Sequence, residues 1–437
     1  MGVEHLAENY FETLFTTSDP QVFDSALQEV PVLITEEMNK SLTKVISPEE
    51  VKRALFSLNP DKAPGPDGMT AFFYQHYWDL TGPDLIKLVQ NFHSTGFFDE
   101  RLNETNICLI PKTERPRKMA EFRPISLCNV SYKVISKVLS SRLKRLLPEL
   151  ISETQSAFVA ERLITDNILI AQENFHALRT NPACKKKYMA IKTDMSKAYD
   201  RVEWSFLRAL MLKMGFAQKW VDWIIFCISS VSYKILLNGS PKGFIKPSRG
   251  IRQGDPISPF LFILCTEALV AKLKDAEWHG RIQGLQISRA SPSTSHLLFA
   301  DDSLFFCKAD PLQGKEIIDI LRLYGEASGQ QLNPDKSSVM FGHEVDNSIR
   351  NTIKVSLGIH KDGGMGSYLG LPKQIHGSKT QVFSFVRDRL QKRINGWTSK
   401  FLSKRRQRDT YQVCGAGSSD ICYVVFPSPQ SYPLKTK

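Results

Sequence analysis

Two adjacent carboxylates, Asp301-Asp302, stand between the apolar runs Leu297-Leu298-Phe299 and Leu304-Phe305-Phe306. Apolar residues on both sides read as two short strands with the acidic pair at the tip of a hairpin. Like charges this close repel and raise one another's pKa unless a cation neutralises them. A hard divalent cation answers that need, and Mg²⁺ usually takes one or two carboxylates plus substrate phosphates. Side chains alternate faces in extended chain, so only one of the pair faces a given ligand squarely. Taken alone, such a pair is more often a solvated turn, because Asp is a common turn former. A third carboxylate, Asp194, closes the run Tyr188–Thr193 and leads into a helical stretch ending near Met214. The end of a strand that feeds a helix is where α/β folds commonly place chemistry. From Lys112 to Arg145 there are ten Lys or Arg against two Glu, an imbalance that favours a phosphate-facing surface over a merely solvated one. Gly254, in the turn-rich stretch Arg249–Pro259, lets backbone approach a ligand closely, and the helix after it offers its N-terminus to phosphate.

The whole chain agrees with that chemistry. Its 437 residues allow two or three domains. A composition of 42% hydrophobic and 23% charged residues is that of a folded protein. The net charge of +12 favours a polyanionic partner, nucleic acid before membrane. None of the eight cysteines forms a C-x-x-C pair, so no zinc or redox motif is expected. Most sit in apolar runs and read as reduced core residues of an intracellular protein, nuclear or cytoplasmic. The N-terminus lacks a basic and apolar leader, and no apolar run is long enough for a membrane span, so neither is expected.

Periodicity places helices over 4–16, 71–96, 131–147, 163–180, 260–274, 312–328, 346–357 and 379–397. Another helix starts well at Ser47-Pro48-Glu49-Glu50, with Ser as cap, Pro in the first turn and Glu three residues on. Strands are expected over 104–111, 188–194, 231–239 and 339–341, with a short strand and turn over 368–372. Asp61–Gly68 is a stiff turn.

In this order the pieces resemble the reverse transcriptase of plant LINE-type (non-LTR) retrotransposons over about residues 4–404. The resemblance rests on Ala63-Pro64-Gly65-Pro66-Asp67-Gly68, Leu109-Ile110-Pro111-Lys112, Phe122-Arg123-Pro124-Ile125-Ser126-Leu127 and Asp194 with Tyr199-Asp200. It continues through Arg252-Gln253-Gly254-Asp255-Pro256, Phe299-Ala300-Asp301-Asp302, Asn333 with Lys336, and Tyr368-Leu369-Gly370. It implies an α+β right-hand polymerase fold with fingers, a palm with an antiparallel sheet, and a partial thumb. The divisions are an N-terminal helical extension (1–45), fingers (46–185), palm (186–345), the start of the thumb (346–404) and a tail (405–437). The reverse transcriptase domain would span about 92–372. A group II intron maturase fits less well, given the Gly-Pro-Asp-Gly and Tyr-Leu-Gly stretches.

The resemblance further implies RNA-directed DNA synthesis with an RNA template, a DNA primer, deoxynucleoside triphosphates and two Mg²⁺ ions, Mn²⁺ being the alternative. Asp194 and Asp301 would be metal ligands and Asp302 the third palm carboxylate beside them. Tyr199 matches the ring that excludes a ribose 2′-hydroxyl. Lys112 and Arg123 match the fingers positions that grip the triphosphate, and Gln253 and Gly254 the loop under the new base pair. Lys336 matches the lysine proposed to protonate pyrophosphate. Asp200 is expected to point away in a structural role.

The pattern departs from the family in three places. Ala160-Glu161-Arg162 stands where Pro-Gly-Arg is more usual, which adds a negative charge and removes backbone freedom on a loop expected to face nucleic acid. An endonuclease ahead of residue 1 and a thumb-and-zinc-knuckle continuation are the parts of the family pattern that this sequence is expected to lack. Beyond Lys404 the helical pattern collapses, and codons for Arg406 to Phe426 read one nucleotide later can spell an amphipathic helix, so a frameshift near 405 is expected. The alternative to a working polymerase is an inactive or catalytically weak RNA-binding remnant.

Overall fold

The computed structural model describes residues 2–21, 23–363, 367–369 and 371–372. The expected helix over 379–397 and the tail from 405 lie outside the described residues, as does most of the expected thumb. The strands are β1 (Glu104–Pro111), β2 (Phe122–Cys128), β3 (Tyr188–Asp194), β4 (Ser232–Leu237) and β5 (Ser240–Ile245). They continue as β6 (His296–Phe299), β7 (Asp302–Lys308), β8 (Ser338–Phe341), β9 (Ser367–Tyr368) and β10 (Leu371–Pro372).

One four-stranded sheet has the order β2-β1-β4-β5 and the other β6-β7-β3-β8, while β9 and β10 pair separately. The protein is therefore α+β. In the second sheet all neighbours are antiparallel and β3 is central. Its alternation divides two cores. Met189 and Ile191 enter the main cluster, while Tyr188 and Ala190 join a smaller one with Phe175 and Phe306. Burial on both faces explains why β3 reads as a nearly continuous apolar run rather than an alternating one.

Two strands carry no simple sequence signal. β2 contains Pro124, which cannot donate to a ladder and is tolerated because β2 is an edge strand. β5 is exposed except at Ile245 and joins β4 through Asn238-Gly239, both with positive φ (50° and 80°), the tight hairpin turn that favours Asn-Gly. The parallel pairing of β1 with β4 also cuts across the division expected at 185/186, since β4 and β5 complete the sheet begun by β1 and β2. The helix Ile164–Thr180 likewise packs on the second sheet, with Phe175 against Phe306 at 6.1 Å.

Ser47 caps its helix as expected, accepting from the Glu50 amide at 3.3 Å. The expected helix 71–96 breaks at Tyr77 into Ala71–His76 and Trp78–Thr95 and stops at Gly96, φ +82°. The helix Val130–Lys144 corrects one part of the basic surface. Arg142 is buried, pairs with Glu50 at 2.8 Å and donates to the Leu42 and Lys44 carbonyls. Its charge holds the N-terminal helices and is not free for phosphate. The helix Ser258–Trp278 is buried nearly all round and forms the scaffold behind the site.

Candidate active site

The hairpin tip forms because β6 and β7 pair through Phe299 and Asp302, leaving Ala300-Asp301 as a two-residue turn. Ala300 sits at φ +53°, a costly backbone for a residue with a Cβ. Gln155 fixes it: its side-chain Oε1 accepts from the Ala300 amide at 3.1 Å and from the Ala157 amide at 3.1 Å. Asn167 donates to the Leu298 carbonyl at 2.9 Å. Arg162 in turn donates to the Ser152, Gln155 and Ile151 carbonyls at 2.6–2.7 Å, tying down the loop that supplies Gln155. Sequence reading missed Gln155, because its partner lies 145 residues away.

Register then brings the acids together. Asp194 lies directly opposite Asp302 across β3 and β7. A following turn holds the end of β3: Asn333 donates its amide to the Asp194 carbonyl at 2.9 Å, and the Asp194 amide donates to Ser337 Oγ at 3.3 Å. Asp194 and Asp301 line a cavity of about 780 Å³. Asp302 shares the sheet face of Asp194 but is outside that lining, its Oδ1 lying 3.2 Å from Lys192 Nζ. Lys192 also lies 6.0 Å from the ring centre of Tyr368, whose hydroxyl donates to Asn167 at 2.8 Å. The Asp301 pKa is raised, first by crowding of protein around it and then by Asp302 and Asp194.

The same cavity is lined by Lys112, Arg123, Lys197, Tyr199, Gln253, Gly254 and Lys336. Lys112 follows β1 and donates its amide to the Glu121 carbonyl at 2.8 Å. Its pKa is lowered, chiefly by burial and then by Lys336 and Arg123. Arg123 stands on β2 opposite Ile110. Lys336 Nζ is 3.7 Å from Asp194 Oδ2. Tyr199 stacks on Phe262 with centroids 4.8 Å apart and planes 12° apart, which fixes the ring. Burial, then Asp301, raises its pKa.

Gln253 and Gly254 are held by their neighbours. Arg252 and Asp255 form a buried ion pair at 2.7 Å. The Arg252 guanidinium stacks 4.1 Å from the Tyr132 ring centre and donates to the Cys227 carbonyl and to Asn103. Asp255 accepts from the Tyr132 hydroxyl at 2.7 Å and from Ser136. The Gln253 carbonyl accepts from the Ser126 amide at 2.9 Å, and its side chain donates to Asp200 Oδ1 at 3.1 Å. Gly254 has φ +121°, and a Cβ there would meet the Ser126 carbonyl at 3.0 Å. Asp200 is buried, with its pKa pushed up to about 6, mainly by burial. The Gly-Pro-Asp-Gly turn lies elsewhere, with Gly65 seated on Asn129 so closely that no Cβ fits.

Among the described residues no three His, Cys, Asp or Glu side chains form a group that would hold a metal ion. Asp194 and Asp301 still fit a hard divalent cation. They are oxygen donors on one open cavity, and Mg²⁺ commonly completes its shell with water and phosphate.

Asp194 at the end of β3 and Asp301 at the hairpin tip thus share one cavity with Lys112, Arg123 and Lys336. The family model described as reverse transcriptase (RNA-dependent DNA polymerase) matches residues 110–384, and the chain belongs to that family. Its similarity to the transposon TX1 uncharacterized 149 kDa protein of Xenopus laevis is 27% identity over 345 residues, 77% of this chain and 25% of that protein. The uncharacterized mitochondrial protein AtMg01250 of Arabidopsis thaliana is 54% identical over 68 residues, 16% of this chain and 56% of that one. The Pol polyprotein from retrotransposable element R2 of Nasonia vitripennis is 26% identical over 263 residues, 60% of this chain and 24% of its own length. The chain thus spans about a quarter of these two transposon proteins. No helix among the described residues is long and apolar enough to cross a membrane.

Proposed function

We propose that the chain is the RNA-directed DNA polymerase part of a LINE-type, non-LTR retroelement, extending a DNA primer on an RNA template. The observation that carries this is one cavity in which Asp194 and Asp301 face Lys112, Arg123 and Lys336. A nucleoside triphosphate matches both sets, its phosphates suiting the cations and its accompanying divalent ions suiting the carboxylates. Similarity to Pol proteins of retrotransposable elements supports the retroelement reading.

Asp194 and Asp301 would hold Mg²⁺, or Mn²⁺, with Asp302 beside them; two such ions, when bound, activate the primer 3′-hydroxyl and offset charge on the leaving group. Lys112 and Arg123 hold the triphosphate. Tyr199, fixed on Phe262, sets a wall against a 2′-hydroxyl. Gln253 and Gly254 support the new base pair from a loop anchored by Arg252 and Asp255. Lys336 gives a proton to pyrophosphate as general acid. In this reading the first sheet is the fingers, the second the palm, and 346–404 the start of the thumb. A nuclear or cytoplasmic site of action goes with those substrates.

Primer extension on poly(A) with oligo(dT), dTTP and Mg²⁺ tests it. The full chain incorporates dTTP and Asp301→Ala does not. Salt-sensitive RNA binding by the full chain with no extension at all would replace the polymerase with a catalytically inactive remnant.

A further inference from the structure

We propose that Lys197 is a third phosphate-binding cation of this cavity, carried by the palm rather than the fingers. The inference rests on the nucleotide reading above. Lys197 lies between Asp194 and Tyr199 and lines the same cavity as both. Its backbone has φ +55°, a left-handed conformation that is costly for a residue with a Cβ. Strain of this kind persists where the surrounding structure over-determines it, and it clusters at functional sites.

The side chain is aimed as well as strained. Its ammonium donates to the Phe122 carbonyl at 3.1 Å, immediately before Arg123 on β2. It also lies 5.7 Å from the ring centre of Tyr10, on the N-terminal helix Val3–Phe15. A carbonyl and a ring hold the cation in place without neutralising it. The charged groups that face it are Lys112 after β1, Arg123 on β2, Lys336 in the turn after Gln331, and Asp200 in the turn after Tyr199. Three of these four are cations. Burial first, and then Lys112, lowers the Lys197 pKa to about 8. A polyanion entering the cavity relieves that repulsion, and Lys197 then supplies a charge-assisted hydrogen bond to it. Because the ammonium already bonds to β2, the same contact links phosphate binding to the relative position of fingers and palm.

The test measures binding of inorganic tripolyphosphate to the full chain by calorimetry in EDTA, which separates phosphate recognition from metal and from turnover. Lys197→Met and Lys112→Met are each expected to weaken binding at least about tenfold, the size of a charged hydrogen bond. Lys197→Arg stays within about threefold, since it keeps the charge. Between pH 7 and pH 9 the full chain loses affinity relative to Lys197→Arg, because only the lysine gives up its proton in that range. Unchanged affinity in Lys197→Met beside a weakened Lys112→Met overturns the proposal and leaves the nucleotide reading standing. A lowered melting temperature with unchanged affinity makes Lys197 a mere tether and also overturns it. No binding by the full chain overturns both.

Discussion

Two ion pairs border the same cavity and differ in every physical respect. Arg252 and Asp255 are almost fully buried, 2.7 Å apart, and embedded in Tyr132, Ser136, Asn103 and the Cys227 carbonyl. Lys336 and Asp194 are 3.7 Å apart, with the lysine side chain 64% exposed. A buried pair cannot exchange its partner for a ligand without leaving a bare charge in the interior, so it can only hold a shape. An exposed and distant pair is worth little to stability, and both members remain free to meet a substrate. Burial therefore separates the pair that can only hold the cavity's shape from the pair left open to a ligand. The loop carrying Gln253 and Gly254 is locked from behind, while Lys336 is left free in front.

The most severe way to break this contrast is to remove one member of the buried pair. Arg252→Met leaves Asp255 without its cation and is expected to cost about 3–5 kcal/mol of folding stability, seen in urea unfolding. Lys336→Ala is the opposite case. Its unfolding midpoint should match that of the unaltered chain, while dTTP incorporation falls by about a hundredfold or more through loss of a general acid. Equal effects of the two changes on unfolding would erase the distinction between scaffold and reagent.

The sequence shows the cavity's acidic residues better than the scaffold that holds them, for a physical reason. Asp194 and Asp301-Asp302 end or join apolar runs, so local pattern places them at strand ends, and β1, β3 and the hairpin follow. The parts that hold them are tertiary. Gln155 reaches Ala300 across 145 residues, and Arg252 gathers Asn103 and Tyr132, each more than a hundred residues away, together with the Cys227 carbonyl. No local period marks such partners. β2 and β5 are hidden for another reason: edge strands tolerate Pro124 and Pro241, β2 turns Pro124, Ser126 and Cys128 inward rather than large apolar residues, and β5 buries only Ile245. Arg142 misled in the other direction. Its spacing matched a basic face, yet Glu50 and two carbonyls, brought in from about a hundred residues away, claim its charge.

A second cavity, of about 760 Å³, extends the contrast to a carboxylate whose nearest cation is one hydroxyl removed, Lys274 donating to Ser152 Oγ at 2.9 Å. Glu267 is buried there and accepts from the Ser152 amide at 3.2 Å and hydroxyl at 2.9 Å. Burial pushes its pKa up to about 7 from 4.5. A raised pKa means that the folded state binds the proton more tightly than the unfolded chain. The associated stability is complete below about pH 4.5 and is lost as pH rises through 7. Glu267→Gln is therefore expected to be more stable than the unaltered chain at pH 8, by about 1–3 kcal/mol, and to show no gain at pH 4. Melting temperatures across that range check it, and a gain independent of pH would mean that packing rather than charge is responsible.

The smallest expected effect concerns the loop on which Gln155 depends. Glu161 has φ +66°, where the related pattern more usually has glycine. Its neighbour Arg162 does the structural work, donating to three loop carbonyls, and the Glu161 side chain is exposed. Glu161→Gly removes the left-handed penalty but adds freedom to the unfolded chain, leaving a net gain of about 0.5–1 kcal/mol. Ala300 has the same sign of φ, but it sits between Gln155 and Asp301, where a looser backbone also frees the acid. Glu161→Gly should therefore raise the unfolding midpoint without lowering dTTP incorporation, while Ala300→Gly should lower incorporation whatever it does to stability. If both glycines behave alike, the hairpin tip is no more constrained by function than an ordinary turn.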